Sequence, residues 1–347
     1  MNLEARIKAF ASLGAYLLQQ EGDRSLEVVK EQAMAKNVFF TIENINKAIG
    51  EWARLLSEEN IRQWLKPYNL EKQELNLLKP RVAIVMAGNI PLVGFHDFLS
   101  VLLSGKRVLV KLSSQDPYLL PFLSEKLLSF TAEKDRKILS DSISFTKDKL
   151  IDFDAIIATG SGNTSRYFDY YFGKYPHIIR HHRNGCAVLD GSQTEQELTA
   201  LCEDMFTYFG LGCRSVSKLY LPDKYDIQHL LSVSENFSQK LITHSAYKNN
   251  YDYYKSILLI NREKHLDTGG VLWKESIELA SPLSMIYYEY YQDKASVEKT
   301  LFENKERIQC VVGNIKGACA FGTAQKPALW EYADELDVLH FLQKLTI

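Results

Sequence analysis

Apolar positions Leu3, Ile7, Phe10, Leu13 and Leu17 recur at helical spacing through residues 3–20, and a second stretch of this kind runs from Ile42 to Leu56. Together they predict an N-terminal helical cap. The pattern changes at Arg81. Val82-Ala83-Ile84-Val85-Met86 is a short unbroken apolar run, which predicts a buried strand, and Gly88-Asn89-Ile90-Pro91 breaks it. Val93 to Leu103 reads as a helix closed by Gly105. Val108-Leu109-Val110 is the next strand, followed by Ser113-Ser114-Gln115-Asp116-Pro117 and a helix to Phe130. Ile143 and the run from Asp154 to Ala158 mark two more strands, and Thr159-Gly160-Ser161-Gly162 opens a further helix. Strands and helices alternating across short connections predict a parallel sheet with helices on both faces.

A second block starts near Cys186. Cys186 to Leu189 is strand-like, Glu195 to Phe209 reads as a helix, and Gly210-Leu211-Gly212-Cys213 turns into a strand over Ser215 to Leu221. Later pieces are Ser256–Ile260, Ser284–Tyr290 and Gln309–Val312. The expected organisation is a helical region over 1–80, α/β domains over 81–185 and 186–335, and a terminal segment over 336–347.

Composition narrows the class. The chain has 347 residues, too many for one average domain, and its 46% hydrophobic and 24% charged residues allow a large core and exclude a disordered chain. The net charge of -2, with no basic stripe, argues against nucleic acid as a partner. Tyrosines such as Tyr251, Tyr253, Tyr254, Tyr287, Tyr288, Tyr290 and Tyr291 lack interleaved basic residues and read as core or subunit interface. No apolar run reaches the ~20 residues that span a bilayer. The N-terminus alternates Glu4, Arg6 and Lys8 with apolar residues, unlike a secretory signal. The cysteines Cys186, Cys202, Cys213, Cys310 and Cys319 are odd in number, far apart and without a CxxC pair, which argues against a disulfide framework and a zinc site. The expectation is a cytoplasmic protein with reduced thiols, no metal and no integral membrane segment.

Three segments stand just beyond predicted strands, where a parallel sheet usually puts its site: Gly88–Pro91, Lys111–Ser114 and Thr159–Thr164. In the last, free N–H groups at a helix start suit an anion or a cofactor diphosphate, though a Gly/Ser turn there is more often structural. It is neither a GxGxxG fingerprint nor a P-loop. Lys111 is either a solvated strand end or a ribose or phosphate contact. Cys213 follows a glycine-containing turn and precedes Arg214, a setting that favours the reactive thiolate, against the alternative of a small buried hydrophobe. Cys186, Cys202, Cys310 and Cys319 read as structural.

Asn89-Ile90-Pro91, Val110-Lys111-Leu112-Ser113, Thr159-Gly160-Ser161-Gly162 and Gly212-Cys213 occur in that order, and the ordered set resembles the aldehyde dehydrogenase superfamily. It is most similar to the short acyl-CoA reductase branch, the LuxC-like fatty-acid reductases. Ala158–Thr164, Phe209–Arg214 and the pieces Ala324-Gln325 and Tyr332-Ala333-Asp334 carry the likeness, which spans residues 80–335.

The resemblance implies an aldehyde-dehydrogenase-like α/β fold, with nucleotide binding in 81–185 and catalysis in 186–335. It implies that Cys213 attacks an acyl thioester and carries the acyl group, that Asn89 donates to the oxyanion, and that a nicotinamide hydride releases the aldehyde. Lys111, Ser113, Ser114, Thr159, Gly160 and Ser161 would contact the cofactor. Ser114 falls where NAD-specific relatives often carry a glutamate, so NADPH is the expected cofactor, with NADH also accommodated. Glu278, before Leu279-Ala280-Ser281-Pro282, loosely matches a glutamate that holds the nicotinamide ribose, and is equally a solvated glutamate. Aldehyde oxidisers carry a water-activating glutamate where this chain reads Arg180-His181-His182-Arg183-Asn184-Gly185. Without that base water attack is slow, which favours acyl reduction, although His181 or His182 is an alternative base. Arg180 and Arg183 are either a phosphate or carrier-protein contact or a solvated loop. The donor is acyl-CoA or an acyl-carrier or acyl-protein partner. A homo-oligomer is one expectation, since the superfamily commonly forms dimers or tetramers. A thioesterase or acyltransferase using Cys213 without nicotinamide, an aldehyde dehydrogenase making acid, and a non-catalytic acyl-protein binding partner are the competing readings.

Overall fold

The computed structural model describes residues 1–19, 22–160, 167–168 and 170–345. Short polar side chains start the first helices. Asn2 precedes α1 (Leu3–Leu18), Asp23 precedes α2 (Arg24–Lys36), Thr41 precedes α3 (Ile42–Leu55) and Ser57 precedes α4 (Glu58–Leu65). Each accepts a hydrogen bond from a first-turn backbone N–H that has no partner within its helix. α1 and α3 follow the apolar spacing. α2 and α4 are largely polar, α2 burying only Leu26, Lys30 and Ala33, so periodicity did not predict them.

The chain divides into two compact units, Met1–His181 with Ala328–Ile347, and His182–Pro327. The helical cap therefore belongs with the first sheet. Arg6 shows why: it is buried on α1, and its guanidinium donates to the carbonyls of Met1, Gln73 and Leu103 at 2.7, 2.5 and 3.2 Å. Leu103 ends α5 (Phe95–Leu103), which covers the sheet. The later return of the chain is fixed by Tyr332, whose hydroxyl accepts from Trp64 Nε1 at 2.8 Å and lies 2.8 Å from the Tyr68 hydroxyl. These contacts draw residues 328–335 into the first unit.

The first sheet contains β1 (Arg81–Val85), β2 (Arg107–Lys111), β3 (Ile143–Thr146), β4 (Ala155–Thr159) and β5 (His177–Arg180) in the order β3-β2-β1-β4-β5. All its pairings are parallel. Successive residues of β1 serve opposite faces, Val82 and Ile84 packing in the main core while Ala83 joins Leu109, Ile156 and Ala158. Burial on both faces explains the unbroken apolar run. Helices α6 (Leu119–Ser129) and α7 (Glu133–Asp141) separate β2 from β3.

The second unit holds β6 (Asn184–Val188), β7 (Val216–Pro222), β8 (Leu266–Asp267), β9 (Leu272–Glu275), β10 (Met285–Tyr291) and β11 (Ile308–Gly313). Their order is β11-β6-β7-β10-β9-β8, parallel except for the β8–β9 pair. Helix α8 (Glu195–Phe206) starts with a capping box between Thr194 and Glu197 and ends three residues before the expected Phe209. Ser256–Ile260 is not a separate piece but the end of a helix over Ser245–Ile260, on which Leu258 is buried while Leu259 and Ile260 are exposed. No helix among the described residues is long and apolar enough to cross a membrane.

Candidate functional site

Parallel strands bring their carboxyl ends to one edge, and β1, β2 and β4 are neighbours. Asn89 follows β1, Lys111 closes β2, Ser113 and Ser114 follow it, and Thr159 closes β4 with Gly160 after it. The first unit thus gathers these predicted residues at one sheet edge. Ser161 lies outside the described residues. The loops after β1 and β2 are in close approach: a Cβ on Gly88 would stand 2.3 Å from Ser113 Oγ and 2.8 Å from Gln115 Cβ, so only glycine fits there. Lys111 Nζ donates to the Asp148 carbonyl at 3.1 Å, and Ser113 Oγ accepts from the Gln115 N–H at 3.2 Å. Ser114 is exposed.

Asp116 fixes this edge. Its carboxylate is buried and accepts from the N–H groups of Leu92 at 3.2 Å and Leu119 at 3.4 Å. Leu92 has a φ of 58°, a left-handed conformation costly for a branched side chain, so the loop carrying Asn89 is held in strain. Asn37 Nδ2 donates to the Gly88 carbonyl at 2.8 Å from the other side. Burial pushes the Asp116 carboxyl up to about 6 despite those N–H donors. Sequence reasoning took Asp116-Pro117 only as turn residues. An aspartate ahead of a helix is a cap signal, but nothing local marks it as reaching back to Leu92.

The basic stretch 180–183 is not one feature. Arg180, on β5, is buried and forms a bidentate pair with Asp97 of α5, at 2.5 and 2.7 Å. It also donates to Thr159 Oγ1 at 3.4 Å. Arg180 is a core ion pair rather than a phosphate patch or a solvated loop. Arg183 belongs to the second unit, where it donates to the Lys305 carbonyl at 3.3 Å and lies 3.6 Å from the Glu306 carboxylate.

In the second unit Cys213 sits between α8 and β7. The chain leaves α8 through a tight turn over Thr207–Gly210 in which Tyr208, Phe209 and Gly210 all have left-handed backbone, with φ of 55°, 58° and 76°. Two consecutive non-glycine residues in that region are a concentrated strain. Phe209 packs on His244 and Tyr247, ring centroids 4.5 and 5.9 Å apart, which anchors the turn. The turn continues through Leu211 and Gly212 to Cys213, and the Ser215 N–H donates to the Gly212 carbonyl at 3.0 Å. Gly185 of β6 lies beneath: a Cβ there would meet the carbonyls of Arg214 and Ser215 at 2.7 and 2.8 Å.

Burial separates the cysteines. Cys186, Cys202 and Cys310 are enclosed, and burial pushes each thiol up to about 12, so all three are protonated at neutral pH. Cys213 and Cys319 are partly exposed. The Cys319 sulfur accepts from Arg214 Nη2 at 3.8 Å. Only Cys213 combines exposure with a strained approach.

A cavity of about 210 Å³ opens against this turn. Gly212 and Ser215, which flank Cys213, form one wall, with Met205, Phe206, Phe209 and Tyr247 behind. His182 and Asn184 bring polar atoms to it, and Ser281–Ile286 close the far side. Glu278 belongs to the segment leading into that far side. Its neighbours are pinned, Lys218 Nζ donating to the Ser276 carbonyl and Ser217 Oγ to the Leu279 carbonyl, but Glu278 itself is exposed and does not line the cavity. Lys218 is fully buried and also pairs with Glu289 at 2.8 Å. Among the described residues no group of three or more His, Cys, Asp or Glu is arranged to hold a metal ion.

Solved structures place the fold. Aldehyde dehydrogenase 21 from Physcomitrella patens, solved with succinate, superposes with a TM-score of 0.62 at 17% identity, over 91% of this chain and 74% of that one. An NADP dependent enzyme from E. coli gives 0.66 at 12% identity, over 96% and 77%. A mutant of Bradyrhizobium japonicum proline utilization A gives 0.65 at 14% identity over 90% of this chain, which spans only 36% of that longer protein. The fold is that of the aldehyde dehydrogenases, as the ordered motifs implied. No curated protein sequence matches the chain. The family described as acyl-CoA reductase (LuxC) matches residues 52–247, more than half of the sequence and part of each unit, and the chain belongs to that family.

Proposed function

We propose that the protein reduces an acyl thioester to an aldehyde through an acyl group carried on Cys213. The observation that carries this reading is the placement of Cys213, partly exposed at the end of a left-handed turn and beside a cavity, in a member of an acyl-CoA reductase family. The Cys213 thiolate attacks the thioester carbonyl carbon. A carbon–sulfur bond to the cysteine forms, that to the donor thiol breaks, and the donor leaves as free thiol. Asn89 serves, by the motif match, as an amide donor to the oxyanion, a contribution on the order of 3 kcal/mol in comparable sites. The acyl chain enters the cavity lined by Met205, Phe206, Phe209 and Tyr247.

Lys111, Ser113 and Ser114 offer a cation and two hydroxyls at the sheet edge, a donor set that fits ribose hydroxyls and phosphates, and no carboxylate stands among residues 111–115. They hold the sugar–phosphate part of a nicotinamide dinucleotide together with Thr159 and Gly160, and the lack of a carboxylate tolerates a 2′-phosphate, which favours NADPH while admitting NADH. When bound, the nicotinamide would supply a hydride to the acyl carbon; the carbon–sulfur bond to Cys213 then breaks, so that the aldehyde leaves and the cysteine thiolate is restored. Glu278, exposed on the segment before β10, is the weakest of the cofactor assignments.

A second reading has one observation of its own. His182 is exposed and lines the cavity, so it can activate water, which would turn the same acyl-cysteine into free acid. The experiment follows NADPH and NADH consumption, thiol release and product identity with a panel of acyl-CoA thioesters, for wild type and Cys213→Ala. Aldehyde and thiol formed together with cofactor loss, all absent in the variant, establish the reductase. Thiol without cofactor loss makes the protein a thioesterase or transferase.

A further inference from the structure

Asp204 lies in the last turn of α8 and is almost wholly buried, yet the acyl-transfer chemistry has no use for it. Its two carboxylate oxygens are spent on backbone: Oδ2 accepts from the Gly322 N–H at 2.6 Å and Oδ1 from the Ala324 N–H at 2.9 Å. Gly322 has a left-handed φ of 81°, so the segment reverses here to present both N–H groups to one carboxylate. The same segment then grips the residues after Cys213. The Ala324 carbonyl accepts from Arg214 Nε at 2.5 Å, and Gln325 Nε2 donates to Ser215 Oγ at 3.1 Å. Gln325 also lies beside the residue before Cys213, its Oε1 standing 3.5 Å from where a Cβ on Gly212 would lie. The residues after Cys213 are therefore held by residues 324–325, and Asp204 holds the backbone of that segment at Gly322 and Ala324.

We propose that Asp204 is a positioning residue that sets the place of the Cys213 thiol through the segment Gly322–Gln325. The energetics favour a dedicated role. Burial disfavours the carboxylate and pushes its pKa up to about 6, against the two N–H donors that lower it. Glu203 and Lys326 are the charged groups whose fields reach it, with opposite effects. A buried carboxylate that only filled space would be replaced by an apolar residue at no loss. Here it satisfies two N–H groups at a left-handed turn that no strand or helix pairs. Positioning within a fraction of an ångström is worth such an arrangement, since a misplacement of about 1 Å can cost on the order of a hundredfold in rate.

This inference rests on Cys213 being the nucleophile of the proposed reaction, and its test is built to separate the two. Asp204→Asn keeps the shape but turns an amide N–H toward one of the two backbone donors. Gln325→Ala breaks the far end of the link and leaves Asp204 intact. For wild type, both variants and their combination, iodoacetamide alkylation of Cys213 is followed by peptide mass spectrometry, and kcat and KM are measured with acyl-CoA thioesters. Both single variants should lower kcat with little change in KM and alter the alkylation rate of Cys213. The double variant should be no worse than Asp204→Asn alone, because residues of one chain of contacts do not add. Folded variants with wild-type alkylation and kcat, or losses that multiply in the double variant, overturn the proposal. If Asp204→Asn does not fold, Gln325→Ala and Ser215→Ala decide, wild-type alkylation and kcat in both counting against it. If wild type turns over no thioester while alkylation still responds to Asp204→Asn and Gln325→Ala, the proposed function fails and the positioning role stands.

Discussion

The loop after β1 and the turn before β7 solve the same mechanical problem by different means. Each carries a candidate reacting group, Asn89 in one unit and Cys213 in the other, and each contains left-handed non-glycine backbone, at Leu92 in the first and at Tyr208 and Phe209 in the second. Each is also tied to a buried aspartate whose carboxyl burial pushes up to about 6. In the first unit the tie is direct. Asp116 takes the N–H of the strained Leu92 itself, from a loop only 24 residues onward. In the second it is indirect: Asp204 takes N–H groups 118 and 120 residues away, and that distant segment holds Arg214 and Ser215 after Cys213. A loop that presents a neutral amide can be fastened at its own strained residue. The turn that presents Cys213 is fastened through the residues that follow it, Arg214 and Ser215.

The comparison can be broken at several points. The largest effect is expected at Cys213: substitution by alanine should lower turnover by about 10³-fold or more while the thermal midpoint stays near wild type, measured by cofactor consumption and by calorimetry. Next is the buried pair beneath the first sheet edge. Asp97→Ala strands the Arg180 guanidinium in the core and should cost about 3–5 kcal/mol in urea unfolding. Asn89→Ala should lower kcat by roughly a hundredfold with alkylation of Cys213 unchanged, which separates oxyanion stabilisation from thiol placement.

The aspartates also predict a pH dependence. Their folded pKa lies above the ordinary 3.8, so the folded chain keeps protons that the unfolded chain has released. Their joint contribution to stability is therefore fully present below about pH 4, falls as pH rises to about 6, and is level above, with a slope of at most ~1.4 kcal/mol per pH unit for each group. Urea unfolding across that range should show the slope reduced in Asp204→Asn relative to wild type. The smallest effect is at Gly210, whose φ of 76° favours glycine. Gly210→Ala should cost about 1 kcal/mol, with the loss appearing in Cys213 alkylation as well as in stability.

Much of the scaffold was legible. Strands buried on both faces announce themselves as apolar runs, and β1, β2, β4, β7, β10 and β11 stand within one or two residues of where those runs lie. α2 and α4 were not legible because a helix that rests one narrow face on its neighbours needs few apolar positions, and its starts at Asp23 and Ser57 look like any polar turn. β5 was hidden because Ile178-Ile179 is too short a run to stand out. For the site, the motif order put Asn89, Lys111, Ser113, Ser114 and Thr159 at the ends of strands, where they are found. Arg180 misled because its partner Asp97 is 83 residues away, and charge in a sequence gives no hint of burial. Asp204 was invisible for the same reason, its partners being backbone atoms beyond position 320.

The return of residues 328–345 to the first unit bears on how the chain is made. Trp64 and Tyr68 find their hydroxyl partner in Tyr332, 268 and 264 positions later, and His96 finds the Leu329 carbonyl 233 positions later. A ribosome must therefore finish the whole second unit before the first can close. Until then Trp64 and His96 lack the Tyr332 ring that packs on both, and the first unit stays incomplete throughout the synthesis of the second.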